Sequence, residues 1–158
     1  MSFISCDTEK TDLDKNQIDA EDFVIKGINL PLVGFMGTEG EDLIIPELFE
    51  DEGKRYRVTS IDESAFCNRI NLKSITIPDS VTTIGRGAFD GCTNLTSITI
   101  SDSVTSIGEA IFHRCSNLTG ITFKGTVAQW NAITKGDRWN LDVPATEVIC
   151  SDGVIKLS

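Results

Sequence analysis

A 23-residue unit recurs three times in register along this chain: VTSIDESAFCNRINLKSITIPDS from Val58, VTTIGRGAFDGCTNLTSITISDS from Val81 and VTSIGEAIFHRCSNLTGITFKGT from Val104. The period runs on to Val127, where the next copy breaks off. A unit this short cannot bury a core of its own, so the copies must stack and share one. That excludes a string of independent domains. It requires a solenoid, closed at each end by something other than a regular repeat.

The columns of the stack follow from the alignment. Val58/Val81/Val104, Ile61/Ile84/Ile107, Phe66/Phe89/Phe112, Leu72/Leu95/Leu118, Ile75/Ile98/Ile121 and Ile77/Ile100/Phe123 are apolar in every copy. At the inter-strand spacing of ~4.8 Å each column becomes a ladder of like side chains, with phenylalanines forming an aromatic spine. The segment LxxIxI is β-branched and alternating, which predicts a strand. VTxIxxxAF predicts a short extended piece and then a turn or partial helical turn on the other side of the coil. CNRIN, DGCTN and HRCSN predict the turns between them. Ala65 and Ala88 keep the phenylalanine turn narrow, and Ile111 breaks that pattern. Asn71, Asn94 and Asn117 form an invariant polar column that predicts hydrogen bonds to the backbone of the neighbouring coil.

The stretches LKSITIPDSVTTIGRGAFDGC (Leu72 to Cys92) and LTSITISDSVTSIGEAIFHRC (Leu95 to Cys115) resemble the BspA-type leucine-rich repeat family. The combination of VTxIGxxAF with the following cysteine turn carries the likeness, which spans about 70 residues of repeats and extends to the flanks. Departures are Asp62 in place of glycine, Arg69 in place of cysteine and Ile111 in place of alanine. The resemblance implies a mainly β, right-handed solenoid with capped ends and short helical turns. It implies one parallel sheet on one face, irregular structure on the other, and a role in recognition or adhesion rather than catalysis. It further implies export, as a secreted or cell-surface protein.

The flanks divide into a polar tail at 1–21, an N-terminal β cap at 22–57, the repeats at 58–126 and a C-terminal cap at 127–158. Within the first cap, Phe23 to Ile28, Leu32 to Phe35 and Leu43 to Ile45 predict short strands, and ELFEDEGKRYR delays the first regular coil. In the second, Thr126 and Gln129 have capping-box spacing. Val127, Trp130 and Ile133 share one helical face suited to plugging the core. Gly136 is placed to end that helix. EVICSDGVIKLS predicts a hairpin around Asp152 and Gly153. Trp130 is expected to pack in the cap, whereas Trp139, in a loop, is a candidate contact for a partner.

The net charge of −10 is unevenly spread. Residues 1–63 carry 16 acidic and 6 basic side chains, and residues 64–158 carry 8 of each. Nucleic-acid binding through a basic patch is disfavoured, as is docking on anionic membrane. No stretch is apolar enough to span a bilayer, and no signal peptide is visible. None of the five cysteines forms a CxxC pair. Cys92 and Cys115 share a core column and are expected to be buried thiols, and the odd count favours thiols over a disulfide framework. Such cysteines leave a cytoplasmic location open beside the surface location that the resemblance implies.

His113 stands two residues from Cys115, which raises a Cys–His nucleophile, but the two occupy different columns. No nucleophile elbow, P-loop or paired-histidine motif is present. The acidic runs at Glu39–Asp42 and Glu50–Glu52 lack the spacing of a calcium loop. No cofactor or metal site is expected, and the chain reads as non-enzymatic. The second, third and fifth positions of LxxIxI face outward: Lys73, Ser74 and Thr76, then Thr96, Ser97 and Thr99, then Thr119, Gly120 and Thr122. This polar sheet face, with Trp139, is the candidate surface for another protein. The alternative is an acidic inhibitor that uses Glu47, Glu50, Asp51 and Glu52 to occupy a basic site on a target. Self-association through the acidic cap or the C-terminal hairpin edge is a further option.

Overall fold

The computed structural model describes residues 22–25, 42–51 and 53–158. The polar tail and the strand expected at Leu32 to Phe35 lie outside the described residues. Among the described residues, twelve strands form two sheets, with a single helix. In chain order they are β1 (Asp22–Ile25), β2 (Asp42–Ile44), β3 (Leu48–Asp51), β4 (Lys54–Ile61), β5 (Ser74–Thr76), β6 (Thr83–Ile84), β7 (Ser97–Ile100), β8 (Ser106–Ile107), β9 (Gly120–Phe123), β10 (Thr134–Lys135), β11 (Glu147–Cys150) and β12 (Gly153–Lys156). The helix, α1 (Val127–Ala132), lies between β9 and β10.

LxxIxI supplies the strands β5, β7 and β9, which pair in parallel. The sheet runs β12-β11-β9-β7-β5-β2. Its inward column is Leu43, Ile75, Ile98, Ile121, Val148 and Ile155, each opposite the next. The first five of these are buried. The other side of the coil is more regular than the resemblance implies. The VTxI segments form a second parallel sheet, β1-β4-β6-β8-β10, with β3 antiparallel on β4. Ile61, Ile84 and Ile107 stack in it, facing the same core. Two apolar residues per turn suffice for such a strand because the parallel neighbours, not the local sequence, hold it extended.

The turns between the sheets repeat one hydrogen-bond scheme. In the first coil the Ala65, Cys67 and Arg69 amides donate to the carbonyls of Asp62, Ser64 and Phe66 and close tight local turns. The alternate amides, of Ser64, Phe66 and Asn68, donate to Arg86, Ala88 and Asp90 of the next coil. That alternation needs left-handed backbone at two positions per coil. They are Ser64 and Asn68, Gly87 and Gly91, Ala110 and Arg114, and finally Arg138 and Asp142. Only the second coil fills both with glycine, the residue that adopts this conformation without steric cost.

Side-chain ladders run the opposite way. Asn94 Nδ2 donates to the Ile70 carbonyl at 2.7 Å, and Asn117 Nδ2 to that of Thr93 at 2.6 Å. The asparagine column thus bonds the preceding coil as expected, although at exposed rather than buried turns. The Cys92 and Cys115 thiols donate to Phe66 and Phe89 carbonyls at 3.0 and 3.1 Å. Phe66, Phe89 and Phe112 stack with centroids 5.4 and 5.8 Å apart.

A glycine column recurs through the later coils. A Cβ on Gly85 would stand 2.5 Å from the Glu63 backbone nitrogen. On Gly108 it would stand 2.4 Å from Arg86 N, and on Gly136 2.3 Å from Glu109 N. Each of these glycines lets its backbone sit on the coil before it. Asp62 holds the same position in the first coil, directly after Ile61, which pairs with Ile25 of β1; the residues after Ile25 lie outside the described residues. Gly136 therefore does not end the helix. α1 stops at Ala132, capped at Ile133 in extended conformation, and Gly136 belongs to the resumed coil.

That resumption is the second correction to the expected C-terminal arrangement. Thr134 pairs with Ser106 and Val148 with Ile121, so the coil returns after α1 with a few residues inserted. The capping box is formed: Gln129 N–H donates to Thr126 Oγ1, and the Thr126 amide to Gln129 Oε1. The hairpin β11–β12 turns at Ser151 and Asp152, with Cys150 opposite Gly153.

Candidate functional site

Strand parity puts alternate residues of the β2–β12 sheet on its open face. One outward column is Ile44, Thr76, Thr99, Thr122, Ile149 and Val154, each register-matched to the next. Beside it run Asp42, Ser74, Ser97 and Gly120. Ser74 donates its hydroxyl to Asp42 Oδ1 at 2.6 Å. Lys73, Thr96 and Thr119 flank the strands and are exposed, with Thr96 Oγ1 donating to the Lys73 carbonyl at 3.0 Å. The nine sheet residues singled out in the sequence therefore lie on one continuous surface.

The repeats alone hide the ends of that surface. Ile44 is 73% exposed, Ile149 47% and Val154 49%. These aliphatic side chains bracket the threonines at both ends of one column. Leu43 and Ile75, and likewise Val148 and Ile121, are paired at spacings other than the repeat period, so aligning the repeats does not bring these strands onto the face. A strand-parity reading of DLII and EVIC could have found them.

Trp139 does not belong to this face. It is half-buried against the core and packs edge-on against Phe112 at 6.4 Å and Trp130 at 5.4 Å. Trp130 in turn meets Phe123 at 5.3 Å. The two tryptophans close the aromatic spine at its C-terminal end. Lys135, opposite Ile107 in the second sheet, donates from Nζ to the Trp130 and Ile133 carbonyls and lies 4.8 Å from the Trp130 ring centroid. Burial lowers its pKa from the ordinary lysine value.

The acidic alternative falls on a hairpin in which Glu50 pairs with Arg55 and Asp51 with Lys54. Glu47 is exposed beside it, and Glu52 lies outside the described residues.

His113 and Cys115 have separate partners. His113 Nδ1 lies 3.2 Å from Asp90 Oδ1, while the Cys115 thiol is committed to the Phe89 carbonyl. Burial pushes the Cys92 thiol up to about 12 and raises that of Cys115 further, which keeps both protonated and poorly nucleophilic. Asp90, fully buried, is gripped by Arg114 through Nε to Oδ1 at 2.9 Å and Nη2 to Oδ2 at 3.0 Å. This bidentate contact raises the Arg114 pKa. Cys92, Cys115 and Cys150 are free and buried. Cys67 is disulfide-bonded, which departs from the expectation of thiols alone; it lies on a half-buried turn outside the thiol ladder. Among the described residues no three His, Cys, Asp or Glu side chains are grouped to hold a metal ion, and no helix is long and apolar enough to cross a membrane.

Residues 54–134 match the BspA-type leucine-rich repeat region, in six copies. The chain belongs to the BspA-type leucine-rich repeat family. A leucine-rich repeat protein from Bacteroides capillosus is 31% identical, with a TM-score of 0.60 over 71% of this chain and 78% of that one. A leucine-rich cell surface protein from Faecalibacterium prausnitzii is 39% identical over 52% of this chain, with a TM-score of 0.47. The present chain spans 23% of that protein's length. No curated protein matches the chain. In family terms, the β2–β12 sheet is the LxxIxI sheet, and its open face is the surface that every repeat contributes to.

Proposed function

We propose that this BspA-type chain is a non-enzymatic binding module that docks another protein on the open face of its LxxIxI sheet. The observation that carries this reading is the outward column from Ile44 through Thr76, Thr99 and Thr122 to Ile149 and Val154. Rigid hydroxyl rungs supply adaptable hydrogen bonding, and exposed aliphatic residues at both ends supply anchors. Burying apolar area at such anchors contributes about 25 cal/mol per Å². Family membership supports recognition or adhesion at a cell surface as the setting. The acidic-inhibitor reading has less support, because Glu47, Glu50, Asp51 and Glu52 all precede residues 54–134, the stretch that matches the repeat family.

A triple substitution Thr76→Lys, Thr99→Lys and Thr122→Lys puts charge along the column without touching the inward residues. Partners captured from cell-surface and matrix extracts at low and high salt are expected to survive high salt with the native chain and to vanish with the triple variant. Circular dichroism should show the variant folded. Capture that is unchanged by the substitution sinks the face assignment. Capture lost at high salt moves the weight to the acidic segment.

A further inference from the structure

β12 is the outermost strand of the LxxIxI sheet, and no strand among the described residues pairs with its far side. The Leu157 amide donates to the Thr146 carbonyl at 2.8 Å, directly opposite it in the β11–β12 register. Hydrogen-bonded and non-hydrogen-bonded pairs alternate in an antiparallel ladder. Val148 with Ile155 and Cys150 with Gly153 are therefore bonded pairs. The backbone N–H and C=O groups of Val154 and Lys156 consequently point away from β11, toward the open edge. Val154 is also half exposed on the outer face, beside Ile149.

We propose that β12 pairs antiparallel with β12 of a second copy, about a twofold axis at Val154. The register is chosen by chemistry. With Val154 opposite Val154 of the second copy, the aliphatic column continues across the seam as Ile149, Val154 and their two mates. Lys156 then comes level with the oppositely charged Asp152 of the second copy, a turn residue whose Oδ1 accepts the Val127 amide of its own chain at 2.7 Å and whose second oxygen is left for the lysine. A two-residue slip sets Lys156 against Val154 of the second copy in one direction and against Cys150 in the other, and a four-residue slip in the first direction sets it against its own mate. Electrostatics is compatible with this end: β2, which carries Asp42, lies at the opposite edge of the same sheet, so association through β12 keeps these carboxylates of the two copies apart. An isologous contact of this kind is self-complementary and closes at two. It joins two short faces into one, and it stands independently of what the face binds.

Sedimentation velocity of the full chain across a concentration series tests this. A monomer–dimer equilibrium is expected for the native chain. Val154→Pro removes the amide aimed at the open edge and spares the amides that bond β11, so it should give a monomer with the native circular dichroism spectrum. Lys156→Asp sets acid against acid at the seam and should also give a monomer. The pair it breaks with Glu147 is exposed and contributes little to the fold. A native chain that stays monomeric up to about 1 mM overturns the proposal. So does a dimer that survives both substitutions. If Val154→Pro unfolds the hairpin, Lys156→Asp decides alone.

Discussion

The coil from Val81 to Ser103 and the segment from Lys124 to Cys150 perform the same task with different means. The first is held on both sides by near-copies of itself. Its Phe89 stacks between Phe66 and Phe112, its Gly85 sits on the coil below, and its Cys92 thiol and Asn94 amide find carbonyls one coil back. The second has a repeat on one side only. It keeps the strand positions but covers the core with Trp130 on a one-and-a-half-turn helix, with Trp139 behind it and Lys135 tying the helix end down. In the interior, stability comes from repetition, so each residue is chosen by its neighbours above and below. At the end it comes from bulk, so few large side chains do the covering and the period is free to break.

Six substitutions sharpen that contrast. Phe89→Ala should cost the most, about 3–5 kcal/mol by denaturant unfolding, because a fully buried ring is lost between two others. Trp139→Ala, half-buried at the end, should cost clearly less; equal costs would mean that the end is as tightly packed as the middle. Arg114→Ala should follow, at about 2–3 kcal/mol, since it strips the bidentate partner from buried Asp90 and leaves His113 beside it. The melting temperature of Asp90→Asn combined with Arg114→Ala should recover part of that loss. No recovery would show that the charge is not the cause. Gly108→Ala should cost about 1–3 kcal/mol through forced separation of two coils, and Gly85→Ala, at the same position one coil earlier, should cost a similar amount. A loss within about 0.5 kcal/mol at either glycine would break the account of the glycine column.

Much of the fold was legible because the constraint that makes it is periodic. Like residues at fixed spacing mark the inward columns, and strand alternation then assigns Ser74, Thr76 and their equivalents to the outer face. What stayed hidden is set by contacts between coils rather than by residues within one. The second sheet rests on two-residue strands with little propensity of their own. The left-handed turn positions are disguised by Ser64, Asn68, Ala110 and Arg114, which adopt that backbone because the inter-coil hydrogen bonds hold it. Ile44, Ile149 and Val154 reach the sheet through insertions that shift them out of the period. Trp139 does lie in a turn, but its packing on Phe112 and Trp130 was hidden because α1 displaces the coil it belongs to, and Gly136 looked like a helix terminator for the same reason.

The asparagine and thiol ladders carry a consequence for the history of the chain. Each bond in them runs from one coil to the one before it, never further. Splicing another 23-residue copy between Val81 and Phe123 would therefore recreate every such bond and leave both termini of the stack untouched. Length in this architecture is a quantity that gene duplication can adjust in whole steps, without any compensating change elsewhere. A stack of a few coils and one many times longer are then the same solution, stopped at different points.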